Sequence, residues 1–166
     1  MTDPFRLRAL KNLTAAIETV NPDTDGFDYT HDLRGKVKRG RLIYGEDDPI
    51  PLVSILEPPI PLDVLQTRGD NPNSTGPWEL LIQGWVHDDF DNPTDPAHVL
   101  MAEVKRSLII EKQRDRGRNI LNLGGKVAEL NVGQGVVRPP DQVSSKAFFW
   151  LFLTLRLAEN LTNPYE

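Results

Sequence analysis

The chain has 166 residues, a length typical of one domain, and 39% of them are hydrophobic, which is enough for a sizeable core. A net charge of −5 argues against a protein that coats nucleic acid, because such proteins need a basic face. The chain contains no cysteine, which excludes disulfides, thiolate nucleophiles and cysteine-ligated metal centres.

The first predicted element is a helix over about residues 4–20. Asp3 is a candidate cap, Pro4 suits the first turn, and Asn21-Pro22 would end the helix. The apolar stripe of this helix consists of Leu10, Leu13, Ile17 and Val20. Two strands are expected next. One is half exposed over residues 36–44, where charged and apolar residues alternate, and the other is short and apolar over 50–56.

The middle of the chain predicts a loop, a strand and a second helix. Residues 57–77 are rich in proline and have no clear period, which favours a long loop. Residues 78–87 predict a strand with Trp78, Leu80, Ile82 and Val86 on one face and Leu81 and Trp85 on the other. An acidic turn then leads into a helix over about 96–116, with Asp95-Pro96 at its start and Gly117 as its C-cap. The stripe of this helix consists of Ala97, Leu100, Met101, Val104 and Leu108.

The C-terminal part predicts β-structure. Residues 126–137 hold two short β-like runs broken by glycines, and residues 146–161 alternate as a strand roughly 40 Å long. A leucine-rich helix competes for 146–161, but this segment has no polar helical stripe. The elements together predict one α+β domain over residues 1–166. Its central sheet is mostly antiparallel or mixed, and the two helices flank it.

The acidic cluster at residues 87–91 is the strongest candidate for chemistry. His87, Asp89 and Asp91 would share one face of a strand, which suits a metal ion and makes a small metal-dependent hydrolase an alternative function. The simpler interpretation is a solvated acidic turn, because the run lacks the EF-hand pattern. The chain also lacks a complete P-loop, a dinucleotide fingerprint and a nucleophile elbow. We therefore predict no catalytic residue, no metal site and no cofactor, and a protein that is not an enzyme.

The sequence instead favours assembly. Its apolar and aromatic segments exceed what a monomer usually buries, and large exposed apolar patches mark interaction sites. The basic run at residues 36–41 is either the solvated face of a strand or a contact to an acidic partner or to passing nucleic-acid backbone. The candidate interface residues are Lys36, Lys38, Arg39, Arg41, Trp85 and Tyr165.

Four segments resemble tail terminator (minor tail) proteins of long-tailed bacteriophages. They are Asp3-Pro-Phe-Arg-Leu-Arg-Ala-Leu10, Trp78-Glu-Leu-Leu-Ile-Gln-Gly-Trp85, Asp91-Asn-Pro-Thr-Asp-Pro-Ala-His98 with the helix after it, and the closing aromatic strand that ends in Arg156-Leu-Ala-Glu159. The resemblance implies a subunit with a central sheet and flanking helices. It also implies a homohexameric ring on the head-proximal end of the tail tube, which stops tube growth and offers a docking face to the head connector.

The partners implied by the resemblance are further copies of the chain, the tail tube protein and the head–tail connector protein. DNA would only pass through the channel, and an acidic subunit suits this role because phosphate contacts drive nonspecific affinity. We expect the protein to fold in the host cytoplasm and to end in the virion. The N-terminus does not have a signal-peptide pattern, and no apolar run approaches the length of a membrane span. A head–tail connector or stopper protein is the alternative of the same class.

Overall fold

The computed structural model describes residues 2–59 and 72–166, which form a mixed six-stranded sheet with two α-helices. The helices are α1 (Phe5–Glu18) and α2 (Asp95–Lys112). The strands are β1 (Val37–Arg39), β2 (Leu52–Leu56), β3 (Asn73–Val86), β4 (Val127–Val132), β5 (Val136–Arg138) and β6 (Ala147–Asn160). The predicted α+β class is confirmed.

β3 and β6 form the centre of the sheet. They pair antiparallel over their whole length, from Asn73 opposite Asn160 to Val86 opposite Ala147. The strand order is β1-β2-β3-β6-β4, and β5 also pairs with β6. β1 and β2 are parallel, while all other pairs are antiparallel. At about 3.3 Å per residue the central ladder is roughly 40 Å long, so residues at its two ends are far apart.

The two faces of the sheet have different surroundings. The core face carries the predicted β3 residues Trp78, Leu80, Ile82 and Val86, together with the odd-numbered residues of β6 from 147 to 157. Both helices pack against this face through their apolar stripes. The opposite face, called the outer face below, buries a smaller cluster of Leu52, Trp85 and Phe148 with Tyr44 and Ile50 packed on it. Neither α1 nor α2 contributes a residue to this cluster.

The helix ends differ from the sequence prediction. The carboxylate of Asp3 does not cap α1 and instead accepts a hydrogen bond from Lys11 Nζ at 2.6 Å. α2 ends at Lys112 rather than near Gly117, because Asp115 and Arg116 adopt left-handed backbone conformations that no α-helix continues through. The predicted stripe of α2 is confirmed, since all five of its residues are buried.

Two further boundaries were wrong. The strand predicted over 36–44 stops at Arg39, because Gly40 takes a φ of +77° and turns the chain away from β2. The loop predicted over 57–77 ends earlier, since β3 already begins at Asn73, while residues 60–71 of that prediction lie outside the described residues. β2 pairs only with residues 81–85 of β3, so the first half of β3 has β6 as its single neighbour among the described strands. Pro77 is tolerated there because one side of this half is an edge of the described sheet.

Candidate assembly surface

The outer face exposes a row of large apolar side chains in the middle of the sheet. Trp150 and Phe152 of β6 are 42% and 55% exposed, and Val136, which lies opposite Trp150 on β5, is also exposed. Leu81 lies opposite Phe152 on β3 and is half buried. Aromatic side chains open to water at the centre of a sheet are typical of interaction surfaces.

A groove opens beside this row at the end of the sheet where β3 finishes and β6 begins. It has a volume of about 530 Å³. We call it the aromatic groove, and its walls are Tyr44, Trp85, Phe148 and Trp150, with residues 42–43 and 141–145 around them. Phe148 and Trp150 stand with their ring centroids 5.5 Å apart, within the range of favourable aromatic pairs.

Tyr44 joins the two loops that border the aromatic groove. Its ring packs edge-on against Trp85 with centroids 5.7 Å apart. Its hydroxyl lies 2.8 Å from Ser145 Oγ and accepts a hydrogen bond from the Ser145 amide at 3.0 Å. Burial raises the pKa of Tyr44, but hydrogen bonds with Ser145 and Ser144 and the charge of Lys146 outweigh that effect and lower it. The loop after β1 is thereby tied to the loop before β6.

The other end of the outer face is polar. Arg156 of β6 lies across from Glu129 of β4, with Nε and Oε2 3.7 Å apart, and both side chains are more than half exposed. Glu79 and Thr154, which face each other in the β3–β6 ladder, separate this pair from the apolar row. The outer face therefore changes from aromatic to charged along the sheet, so it presents two unlike surfaces.

Trp85, a predicted interface residue, lies at the base of the aromatic groove. Its side chain is only 2% exposed because Tyr44, Leu52 and Phe148 cover it. Trp85 therefore supports the groove from within and offers little surface of its own to a partner. The sequence could not show this burial, because the covering residues come from distant parts of the chain.

The predicted basic run is largely engaged within the chain. Arg39 donates to Thr14 Oγ1 of α1 at 2.9 Å, Lys38 donates to the Gly35 carbonyl at 3.0 Å, and Arg41 pairs with Asp48. Lys36 is half buried. The Gly45 amide lowers the pKa of Asp48 and the charge of Arg41 lowers it further, although partial burial opposes both.

Three residues of the basic run nevertheless share one surface. Lys38, Arg39 and Arg41 border a shallow hollow of about 470 Å³ that also includes Thr14 and Glu18 of α1. A solvated basic surface and a contact to an acidic partner both remain compatible with this arrangement. Its chemistry is polar, in contrast to that of the aromatic groove.

Tyr165 lies far from Trp85. It is half exposed, and the chain beside it is tied to the start of α1 by a hydrogen bond from the Phe5 amide to the Pro164 carbonyl at 2.8 Å. Asn160, at the end of β6, donates to Glu166 at 3.0 Å. Tyr165 therefore belongs to the end of the sheet where β3 begins, whereas Trp85 lies at the opposite end. The structure does not bring these two predicted residues together.

The acidic cluster at 87–91 forms a turn. Asp89 Oδ1 accepts hydrogen bonds from the amides of Asp91 at 3.0 Å and Asn92 at 2.7 Å. Within residues 2–59 and 72–166, no group of three or more histidine, cysteine, aspartate or glutamate side chains is arranged to hold a metal ion. The absence of a metal site and of catalytic chemistry stays a prediction.

Sequence reasoning missed the apolar residues in the loops. Leu42, Ile43 and Val143 surround the aromatic groove and are strongly exposed, with Val143 at 91%. Phe90, in the acidic turn, is 95% exposed. The only signal for them was an apolar residue inside a polar loop, which does not show whether the side chain is buried or exposed.

The comparisons with known proteins do not identify a family. No protein-family model matches the chain, and no curated protein matches its sequence. Among the helices that the structure describes, none combines the length and the apolar character needed to cross a bilayer.

Proposed function

We propose that the chain is a structural virion protein that caps the head-proximal end of a phage tail tube as a ring of six copies. The ring ends tube polymerisation and provides the docking face for the head connector. The observation that carries this proposal is the outer face of the sheet, which leaves Trp150 and Phe152 exposed although the fold buries the rest of its β6 aromatics. A partner protein is the simplest cover for such a face.

The two unlike surfaces of the subunit favour a capping role over the role of a subunit that simply repeats along a polymer. A cap needs one surface that fits the growing end and another that no further tube subunit can use. The outer face supplies unlike regions, with an aromatic groove at one end and the Arg156–Glu129 pair at the other. A ring additionally needs a heterologous contact that closes on itself.

The net charge of −5 fits a ring around a DNA channel. Each lysine or arginine that contacts a phosphate adds sequence-independent affinity, which would slow DNA passing through. Of the basic run, Arg39 and Arg41 are already bonded to groups of the same chain. An acidic subunit in which these two arginines are engaged would offer DNA fewer phosphate contacts and would let it slide more freely.

Electron microscopy of particles assembled without the protein tests this function. We expect tubes of irregular or excessive length that do not join heads, because an open tube end keeps adding subunits. Adding back the wild-type protein should restore uniform tails joined to heads. Tails of uniform length joined to heads in its complete absence would refute the proposal.

The same images separate the alternative of a head–tail connector or stopper. A stopper acts after the tube is finished, so its loss would leave tails of normal length that fail to join heads. Irregular length is therefore the result that distinguishes a terminator from a stopper.

A further inference from the structure

The acidic turn between β3 and α2 presents one large apolar side chain to water. Phe90 is 95% exposed and stands among the carboxylates of Asp88, Asp89 and Asp91. Asp89 Oδ1 accepts hydrogen bonds from the amides of Asp91 and Asn92, which closes the turn around Phe90. A turn held in this way lowers the conformational cost of binding through the residue at its tip. We call residues 88–91 the acidic knob.

The aromatic groove has the shape and lining to receive such a residue. Its volume of about 530 Å³ is ample for a phenyl ring, and four aromatic side chains line it, with Trp150 exposed at one side and Trp85 buried at the base. An inserted ring would find offset or edge-on partners there, which are favourable aromatic arrangements. The acidic knob does not line the groove of its own chain.

The charges beside the groove complement those of the acidic knob. Lys146 directly follows the groove-lining loop, close enough to act on the Tyr44 hydroxyl. Arg138 of β5 lies opposite Phe148, one of the walls, and is exposed. The carboxylate that lines the groove, Asp141, already accepts hydrogen bonds from two backbone amides at 2.8 and 2.9 Å. Its charge is thereby partly offset, and the nearby charge of Arg138 acts on it as well. Arg138 is exposed, whereas Lys146 is half buried.

We propose that Phe90 of one copy of the chain inserts into the aromatic groove of a second copy, with the carboxylates of the knob beside Lys146 and Arg138. A second copy is the favoured occupant because the chain itself carries an exposed aromatic residue flanked by carboxylates, and these complement the two cations beside the groove. Because knob and groove are different patches, each copy can give its knob to one neighbour and accept the knob of another, which is a heterologous contact that repeats head to tail. It rests on the proposed function, in which it joins neighbouring copies of the ring.

Sedimentation velocity tests the contact between knob and groove. The full-length wild type and four single variants are each measured over a range of concentrations. Phe90→Ser removes the knob, and Trp150→Ser opens a wall of the groove. Val143→Asp changes the exposed rim of the groove and carries little risk to folding. Ile110→Ser is the matched control, because Ile110 is an exposed apolar residue of α2 (52%) outside both patches.

We expect the wild type and Ile110→Ser to associate alike as concentration rises. Phe90→Ser should weaken self-association by about thirtyfold or more, as truncation of a central aromatic anchor does. The groove variants should weaken it in the same direction, with thermal unfolding checking that each remains folded.

Mixing the two kinds of variant shows whether knob and groove meet each other. Phe90→Ser keeps an intact groove, and Val143→Asp keeps an intact knob. An equimolar mixture should therefore form dimers through one contact at concentrations where each variant alone is mostly monomeric.

The results that overturn the inference differ from those that overturn the proposed function. Wild-type association that Phe90→Ser leaves unchanged would refute the knob contact while leaving a ring possible. Failure of the mixture to form dimers would refute the pairing of knob with groove. A wild type that is monomeric at every concentration would refute the contact between knob and groove, and capping would still be decided by tail assembly.

Discussion

Replacing Gly84 by alanine perturbs the centre of the sheet at one defined contact. Gly84 of β3 lies opposite Phe149 of β6, and both residues are buried. A Cβ atom at position 84 would lie 2.2 Å from Cε1 of Phe149 and 2.7 Å from Cζ. Carbon atoms in favourable contact are about 3.5–4.0 Å apart, so the ring would have to move by roughly 1 Å or more.

The ring of Phe149 has little room for this movement. Phe149 is fully buried in the main core, where packing is as dense as in an organic crystal. Overpacking of such a core costs about 1–3 kcal/mol. We therefore expect Gly84→Ala to lower the free energy of unfolding by about 2 kcal/mol, which corresponds to a fall in Tm of about 4–8 °C for a chain of this length.

Urea unfolding followed by circular dichroism measures this loss, and Gly125→Ala is the matched control. Nothing lies within 4 Å of a Cβ at position 125, so that substitution should leave stability unchanged or raise it slightly. Phe149→Leu combined with Gly84→Ala should cost less than the sum of the two single changes, because the smaller side chain relieves the clash. Equal unfolding midpoints for Gly84→Ala and Gly125→Ala would refute this account of the core.

Three further predictions concern charged groups. Glu103→Gln should lower the free energy of unfolding, measured in urea, by about 1–3 kcal/mol. The buried carboxylate of Glu103 accepts hydrogen bonds from two backbone amides and lies 3.1 Å from His31 Nδ1, and an unchanged urea midpoint would contradict this prediction. Hydrogen bonds from Arg34 lower the pKa of Asp32 from 3.8 to about 2, so the stability from this pair is present above pH 3.8 and lost as the pH falls through about 2. Asp32→Asn should therefore reduce the fall in the free energy of unfolding between pH 4 and pH 2. The same fall in wild type and variant would show that the pair does not contribute to stability. Divalent cations should leave the Tm of the wild type unchanged, because Asp89 is engaged by backbone amides. A saturable rise in Tm that Asp89→Ala abolishes would revive the hydrolase alternative.

The long elements were predictable because their patterns repeat many times. In β6 every odd-numbered residue from 147 to 157 is apolar, and in α2 five apolar residues keep helical spacing, so single exceptions do not change the prediction. Their ends were less predictable, because they depend on single backbone angles. The φ of +77° at Gly40 and the left-handed conformations at Asp115 and Arg116 have no periodic signal.

The candidate surface was predictable only in part. The sequence showed that β6 has two apolar faces, but it could not show that both helices cover the same one. For that reason Trp85 was assigned to the interface although Tyr44 covers it, while Trp150 and Phe152 were not assigned. Contacts between residues distant in sequence decide which aromatic side chain is left exposed.

The proposed capping of a tube end is tested most directly by the length of tubes grown in the presence of this protein. Purified tail tube protein is polymerised with increasing amounts of the chain, and tube lengths are measured by negative-stain electron microscopy. The account predicts that tubes shorten as the ratio rises and that a ring of additional density appears at one end of each tube. An unchanged length distribution at every ratio, with bare tube ends, would contradict it.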